Sequence, residues 1–292
     1  MNIAVFGRKV TKQNAEYYSE ILGILKDFGW NPVLHKDLKD LLVKKVGISP
    51  ETDQFETYKD FKSGIDLSLS IGGDGTFIQN VKFIRDSNVP VLGINTGRLG
   101  FLANISKDDI QTAMDLVNRK EFVHQKRSMI RVETERNIFG DENIGLNELT
   151  LQKKDTSSMI TVNTYLENKY LNSYWADGLI VATPSGSTAY SLSCGGPIVA
   201  PGCQVHILTP IAPHNLNVRP MVVPDHMPIK LDIEGRSRNH LISIDGNSKN
   251  IRQDETVTVH KADFMINVVK FEDNNFLDTI RNKMFWGSDK RN

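Results

Sequence analysis

The chain has 292 residues, 39% apolar and 24% charged, enough to bury the core of one large domain or two modest ones. Lys plus Arg and Asp plus Glu balance at 35 each, which argues against a general nucleic-acid binder with its basic surplus. It leaves room for a local basic patch around an anionic substrate. No uninterrupted apolar run is long enough to span a bilayer, so no membrane partner is expected.

The chain opens on Met1-Asn2-Ile3-Ala4-Val5-Phe6-Gly7, which reads directly as a strand. No charged segment and long apolar run precede it, so no signal peptide is expected and the predicted location is the cytoplasm. Tyr17, Ile21, Leu22, Leu25 and Phe28 recur at helical spacing, and Gly29 ends that helix. A strand is predicted at 32–35 and a helix at 38–46. The polar stretch 49–62 shows no period. Leu67-Ser68-Leu69-Ser70-Ile71 is a strand, 77–84 a helix, 89–94 a strand, and 110–117 a helix with Ser106 and Asp108 as candidate caps. Alternating strands and helices predict parallel pairing with helical crossovers.

The pattern changes near residue 120. Residues 130–134 and 159–165 alternate with a period of two, Glu167-Asn168 marks a hairpin tip with 170–174 as its antiparallel return, and 229–233, 241–244, 257–259 and 264–269 complete an all-β reading. The predicted fold class is therefore an α/β N-terminal domain with a parallel sheet (1–122), then a β-rich, sandwich-like C-terminal domain (123–270) and a tail (271–292). The two cysteines, Cys194 and Cys203, fit no zinc or redox spacing and read as small buried hydrophobes. The seven histidines show no ligand spacing, so no structural zinc is expected. From Gly178 to Val218 there is no Asp, Glu, Lys or Arg. Two readings of that stretch stand side by side: sandwich core, or a thread lining a ligand, where glycine lets the backbone approach closely.

One turn carries chemistry. Gly72-Gly73-Asp74-Gly75-Thr76 joins the strand at 67–71 to the next helix. Ligands of open parallel sheets bind at the carboxyl ends of the strands. Gly72, Gly73, Gly75 and Thr76 can turn backbone N–H groups toward phosphates, helped by the helix N-terminus. A carboxylate there repels phosphate, so Asp74 either accepts a proton from an attacking hydroxyl or holds a metal. The alternative is a plain tight turn. The turn lacks the lysine and spacing of a Walker A loop, and the dinucleotide fingerprint is absent.

Six motifs in order resemble the NAD kinase family over most of the chain. They are the turn at 72–76; Gly93-Ile94-Asn95-Thr96-Gly97-Arg98-Leu99-Gly100-Phe101-Leu102; Asn147-Glu148; Asp177-Gly178 with the segment from Thr183 to Ser193; the segment from Thr209 to His214 leading to Arg219-Pro220; and Asp245-Gly246-Asn247. The resemblance implies an α/β domain and a β-rich domain with the active site between them. It implies phosphorylation of the 2′-hydroxyl of the adenosine ribose of NAD, giving NADP. The donor would be ATP with a divalent metal such as Mg²⁺, or polyphosphate. It also implies a homodimer or homotetramer whose last stretch folds back on the first domain.

By the same resemblance Asp74 is the proton acceptor and Gly75 a phosphate-facing neighbour. Asn147 and Glu148 hold ribose and base, Asp177 is an acidic contact to NAD, and Thr188, Ala189, Tyr190, Ser191, Leu192 and Ser193 line it, with Ser185 just before. Both members of the Asn147-Glu148 pair reach one ligand only where the strand at 146–152 begins or is irregular. Ala212 and Asn247 match further positions near the NAD. Phe101 either stacks on a base or fills core, the second being preferred. Asp245 is either a second acid of the site or a hairpin residue. Some family members carry a cation two positions before the acid of the fourth motif. Here that position is Trp175, which leaves the choice between NAD and NADH open. The turn at 72–76 is shared with lipid kinases of the diacylglycerol type, and a non-catalytic dinucleotide sensor is the other rival.

Overall fold

The computed structural model describes residues 1–11, 14–62, 64–97, 99–154, 158–272 and 276–284. It divides into two compact units, residues 1–126 with 266–292, and 127–265.

The first unit alternates strand and helix: β1 (Asn2–Gly7), α1 (Ala15–Asp27), β2 (Asn31–His35), α2 (Lys36–Val46), β3 (Asp53–Phe55), β4 (Leu67–Ile71), α3 (Asp74–Ile84), β5 (Val91–Asn95), β6 (Ile105–Ser106) and α4 (Ile110–Asn118). The strands are short and nearly all apolar because helices cover a parallel sheet. Every pairing is parallel, in the order β3-β2-β1-β4-β5, with β6 beside β5. The order reverses between β1 and β4, where Gly7 lies in register with Ile71. A crevice therefore opens at the carboxyl ends of these two strands. Leu25, Leu34, Leu38, Leu69, Leu92 and Met114 are among the side chains of the core. The polar stretch at 49–62 contains β3 and a helical turn, Tyr58–Lys62, anchored by the buried Phe55 and Phe61.

The second unit is antiparallel: β7 (Val123–Thr134, starting in the first unit), β8 (Ile144–Gly145), β9 (Glu148–Gln152), β10 (Ile160–Leu166), β11 (Lys169–Ala176), β12 (Gly178–Ala182), α5 (Tyr190–Ser193), β13 (Val205–Ile211), β14 (Met221–Pro224), β15 (Ile229–Glu234), β16 (Asn239–Ile244), β17 (Asn247–Arg252) and β18 (Val257–Lys270). Glu167 and Asn168, both at positive φ, form the tip between β10 and β11. One sheet runs β14-β13-β12-β9-β16-β17. A second contains β11, β10, β15 and the start of β18. Both contribute to one core, with Leu149, Leu179 and Ile242 from the first and Val162, Leu231 and Val259 from the second. The unit is thus a sandwich, and the chain has the predicted fold class of a parallel α/β part and an antiparallel β part.

Three details correct the sequence reading. Residues 257–259 and 264–269 are one strand, β18, whose later part belongs to the first unit through Val268 beside Val91. Cys203 is exposed and Cys194 half-buried, so the pair is not uniformly core. In the uncharged stretch β12 and β13 are buried strands, and residues 183–187 form a buried turn between β12 and α5 rather than a strand. The last helix, α6 (Phe276–Met284), lies in the first unit with Ile280 buried.

Candidate active site

In the first unit, α3 begins at Asp74 itself rather than near Thr76. Gly73 is its extended N-cap, and an aspartate in the first turn complements the helix dipole. The Thr76 N–H donates to the Gly73 carbonyl at 2.9 Å, and the N–H groups of Asp74 and Gly75 have no intrahelical acceptor. This first turn borders a cavity of about 460 Å³ lined by Arg8, Lys9, Thr11, Asn14, Ile71, Gly72, Gly73, Gly75, Thr76 and Thr96. It lies at the carboxyl ends of β1, β4 and β5, at the reversal of strand order. Arg8 and Lys9 make no ion pair with any described residue and so bring two uncompensated positive charges to it. Sequence reading missed both. Their only signal was a pair of cations directly after the first strand.

The Asp74 carboxylate is not free in solvent. Oδ2 accepts from the Phe101 N–H at 2.8 Å, and Oδ1 accepts from the N–H groups of Leu102 (3.1 Å) and Ala103 (2.9 Å). Gly100 leaves room for this approach, since an ideal Cβ there would lie 1.8 Å from Oδ1. The second motif thus has a physical role that its side chains did not reveal. Arg98 lies outside the described residues. Phe101 is half-buried, with the Phe276 ring 6.5 Å away and Lys283 Nζ 4.8 Å from its ring centre, so α6 covers it.

In the second unit a parallel arrangement surrounds Asp245. Its carboxylate accepts from three consecutive N–H groups, Leu146 (2.6 Å), Asn147 (2.9 Å) and Glu148 (3.0 Å). Asp245 sits at the hairpin tip with φ +48° and is also the clasp that shapes residues 146–148. The strand begins at Glu148, leaving Asn147 outside it, so the two side chains are not bound to strict alternation. Thr183 packs against this bend. Its N–H donates to the Asn147 carbonyl at 2.8 Å and its hydroxyl to the Leu146 carbonyl at 2.5 Å. Gly186 lies so close that a Cβ would meet the Asn147 carbonyl at 2.1 Å.

The bend leaves two acceptors unused. Asn147 Oδ1 and Glu148 Oε2 are buried without a hydrogen-bond partner. Burial, reinforced by the Asp245 charge, pushes the Glu148 carboxyl up to about 8. Buried orphan acceptors are costly unless a ligand supplies donors.

The other expected residues spread along the same unit. Asp177 pairs with Lys153 at 2.6 Å. The Tyr190 hydroxyl accepts from Gln152 at 3.1 Å, and the residue is 39% exposed. The Ser191 and Thr209 hydroxyls bond at 2.8 Å inside the fold, so Ser191 is structural in this state. Thr188 donates to the Ser185 carbonyl, while Ser185 accepts from the buried Arg127. Ala189 links this turn to Tyr190 in α5, where Leu192 is half-buried and Ser193 exposed. Trp175 is 44% exposed and its ring lies 4.4 Å from that of His214. Ala212 is exposed at φ +44°. Asn247, in the Asp245 hairpin, donates to Glu142 at 2.6 Å. Among the described residues no group of three or more His, Cys, Asp or Glu comes together to hold a metal.

The chain matches the ATP-NAD kinase N-terminal domain over residues 3–122 and the ATP-NAD kinase C-terminal domain over residues 146–271. The chain belongs to the NAD kinase family. It is 42% identical to the NAD kinase of Flavobacterium psychrophilum and 43% identical to that of Cytophaga hutchinsonii, over 100% of both chains in each case. Among solved structures, an NAD kinase from Archaeoglobus fulgidus in complex with ATP is 25% identical, with a TM-score of 0.75 over 98% of this chain and 99% of that one. Yeast NADH kinase complexed with NADH shares the fold at 22% identity, with a TM-score of 0.88 over 100% of this chain and 89% of that one. The two domains recognised by sequence follow the α/β and sandwich parts of this NAD kinase family fold.

Proposed function

We propose that the protein transfers the γ-phosphoryl group of ATP, or the terminal phosphoryl group of polyphosphate, to the 2′-hydroxyl of the adenosine ribose of NAD, yielding NADP. The observation that carries this reading, in a chain of the NAD kinase family, is Asp74 on the first turn of α3 beside a cationic cavity at the sheet's switch point. Asp74 accepts the hydroxyl proton as the new O–P bond forms and the bond to the leaving phosphate breaks. A carboxylate in that role contributes about 10²–10⁴-fold. The remainder comes from positioning and from neutralising phosphate charge. Arg8, Lys9 and the N–H groups of Gly73 and Gly75 serve that second need.

A divalent cation, on this reading, arrives on the donor's phosphates and keeps mainly phosphate and water ligands, as Mg²⁺ commonly does. In the second unit Asn147 Oδ1 and Glu148 Oε2 accept from the dinucleotide, and Asp177, the segment 188–193, Ala212 and Asn247 supply further contacts. Trp175 offers a stacking face. We assign a homodimer or homotetramer in the cytoplasm, checked by sedimentation and fractionation. The test of the reaction is to incubate the protein with NAD, Mg²⁺ and each donor and to read the product with an NADP-specific dehydrogenase. Phosphorylated product that this enzyme rejects would put the phosphate on a different hydroxyl.

A further inference from the structure

Asp74 must present one carboxylate oxygen to its substrate in a fixed direction, yet no side chain among the described residues donates to it. The three donors are all main-chain: Phe101 N–H to Oδ2, and Leu102 and Ala103 N–H to Oδ1. A carboxylate has about four acceptor positions, two on each oxygen. Oδ1 is filled and Oδ2 keeps one position open. The loop that supplies the donors is itself anchored. Gly100 N–H donates to the Ala103 carbonyl at 2.8 Å, and Asn95 Nδ2, from the end of β5, donates to the same carbonyl at 3.2 Å. Beneath it, a Cβ on Gly93 of β5 would lie 2.7 Å from Ala103 Cα, so that glycine lets the loop sit directly on the sheet.

Resting on the reading of Asp74 as proton acceptor, we infer that the loop Gly100–Ala103 is the positioning element of Asp74 and that Oδ2 is the oxygen that takes the substrate's proton. Gly100 is the one position where the sequence betrays this. A Cβ there would lie 1.8 Å from Oδ1, 2.5 Å from Cγ and 2.8 Å from Oδ2. Alanine at 100 and the carboxylate in its present place exclude one another, so the carboxylate must rotate away from its donors. Gly97, ahead of this loop, provides the control. Among the described residues a Cβ there meets Asn95 Oδ1 at 3.7 Å, an ordinary contact.

The experiment compares Gly100→Ala, Gly97→Ala and Asp74→Asn in steady-state NADP formation, with KM and kcat separated for NAD and for ATP. Gly100→Ala is expected to lose about 10²-fold or more in kcat, with both KM values within about threefold, and Gly97→Ala to stay near wild type. A loss in the transition state alone is the mark of a misplaced reacting group. Wild-type kcat in Gly100→Ala, or a loss confined to KM, overturns the positioning role while leaving Asp74 in place if Asp74→Asn is dead. An active Asp74→Asn removes the parent reading instead. Should Gly100→Ala fail to fold, amide exchange decides. In Asp74→Ala the N–H groups of Phe101, Leu102 and Ala103 should exchange about tenfold faster or more than in wild type. Unchanged exchange at those three amides overturns the inference.

Discussion

Replacing Glu148 by glutamine should make the protein more stable, and increasingly so as pH rises. Glu148 Oε2 is buried without a partner, and its carboxyl is pushed up to about 8 by burial and by the Asp245 charge. The ordinary value, 4.5, applies to the unfolded chain. Between these values the folded state binds more protons than the unfolded state, so the group's contribution falls as pH rises from 4.5 toward 8. With about 1.4 kcal/mol per unit, the cost of keeping this acid buried is about 1 kcal/mol at pH 5, about 3 at pH 7 and about 4 at pH 8. Glu148→Gln removes the titration while keeping the shape. Urea unfolding of both proteins at the three pH values reads the difference. The midpoint should rise in the variant and the gap should widen with pH. A variant that is equally stable at all three values would show that Glu148 is not held against its charge.

Other tests follow from single features. Arg8→Ala should raise KM for ATP and for polyphosphate by about tenfold with KM for NAD unchanged, because a charge-assisted phosphate contact contributes about 1.5–3 kcal/mol. Equal effects on both substrates would remove Arg8 from the donor side. His206 is fully buried with neither ring nitrogen hydrogen-bonded, and burial, against the opposing pull of Asp225, lowers its pKa to about 4. The unfolded chain protonates this group below about 6.5, so stability should fall by up to about 3 kcal/mol as pH drops from 6.5 to 4. His206→Leu should flatten that acid limb, and an unchanged limb would assign it elsewhere. Gly186→Ala, whose Cβ would meet the Asn147 carbonyl at 2.1 Å, should destabilise by about 1–3 kcal/mol and raise KM for NAD. Wild-type behaviour would show that the bend at 146–148 can yield.

Much of the first unit was legible because its chemistry is local. Apolar helical spacing and the run Leu67–Ile71 identify their elements without reference to anything distant. β3 and the turn at Tyr58–Lys62 were not, since they present mostly polar residues and are pinned only by Phe55 and Phe61. In the second unit, β12 and β13 are buried on both faces, which erases the alternation that marks a strand. β18 was split in two because Lys261 and Asp263 interrupt an apolar pattern that the strand carries straight through. The glycines around Asp74 made the acid conspicuous. Its three N–H donors lie 27–29 residues away and are backbone, so nothing but the missing side chain of Gly100 hints at them. Arg8 and Lys9 become neighbours of Gly72 only through the strand order, which the local pattern does not carry. The clasp of Asp245 on Leu146–Glu148 spans 97–99 residues for the same reason.

The most direct measurement is NADP formation by the wild type and Asp74→Asn, each with NAD, Mg²⁺ and ATP, alongside NAD affinity by calorimetry. The account predicts turnover by the wild type, a loss of at least about 10²-fold in the variant, and nearly equal affinity for NAD in both. Turnover retained by Asp74→Asn would contradict the assignment of the proton acceptor. No NADP from folded wild type that binds NAD would contradict the proposed reaction in favour of a dinucleotide sensor, and no NAD binding at all would reopen a lipid substrate.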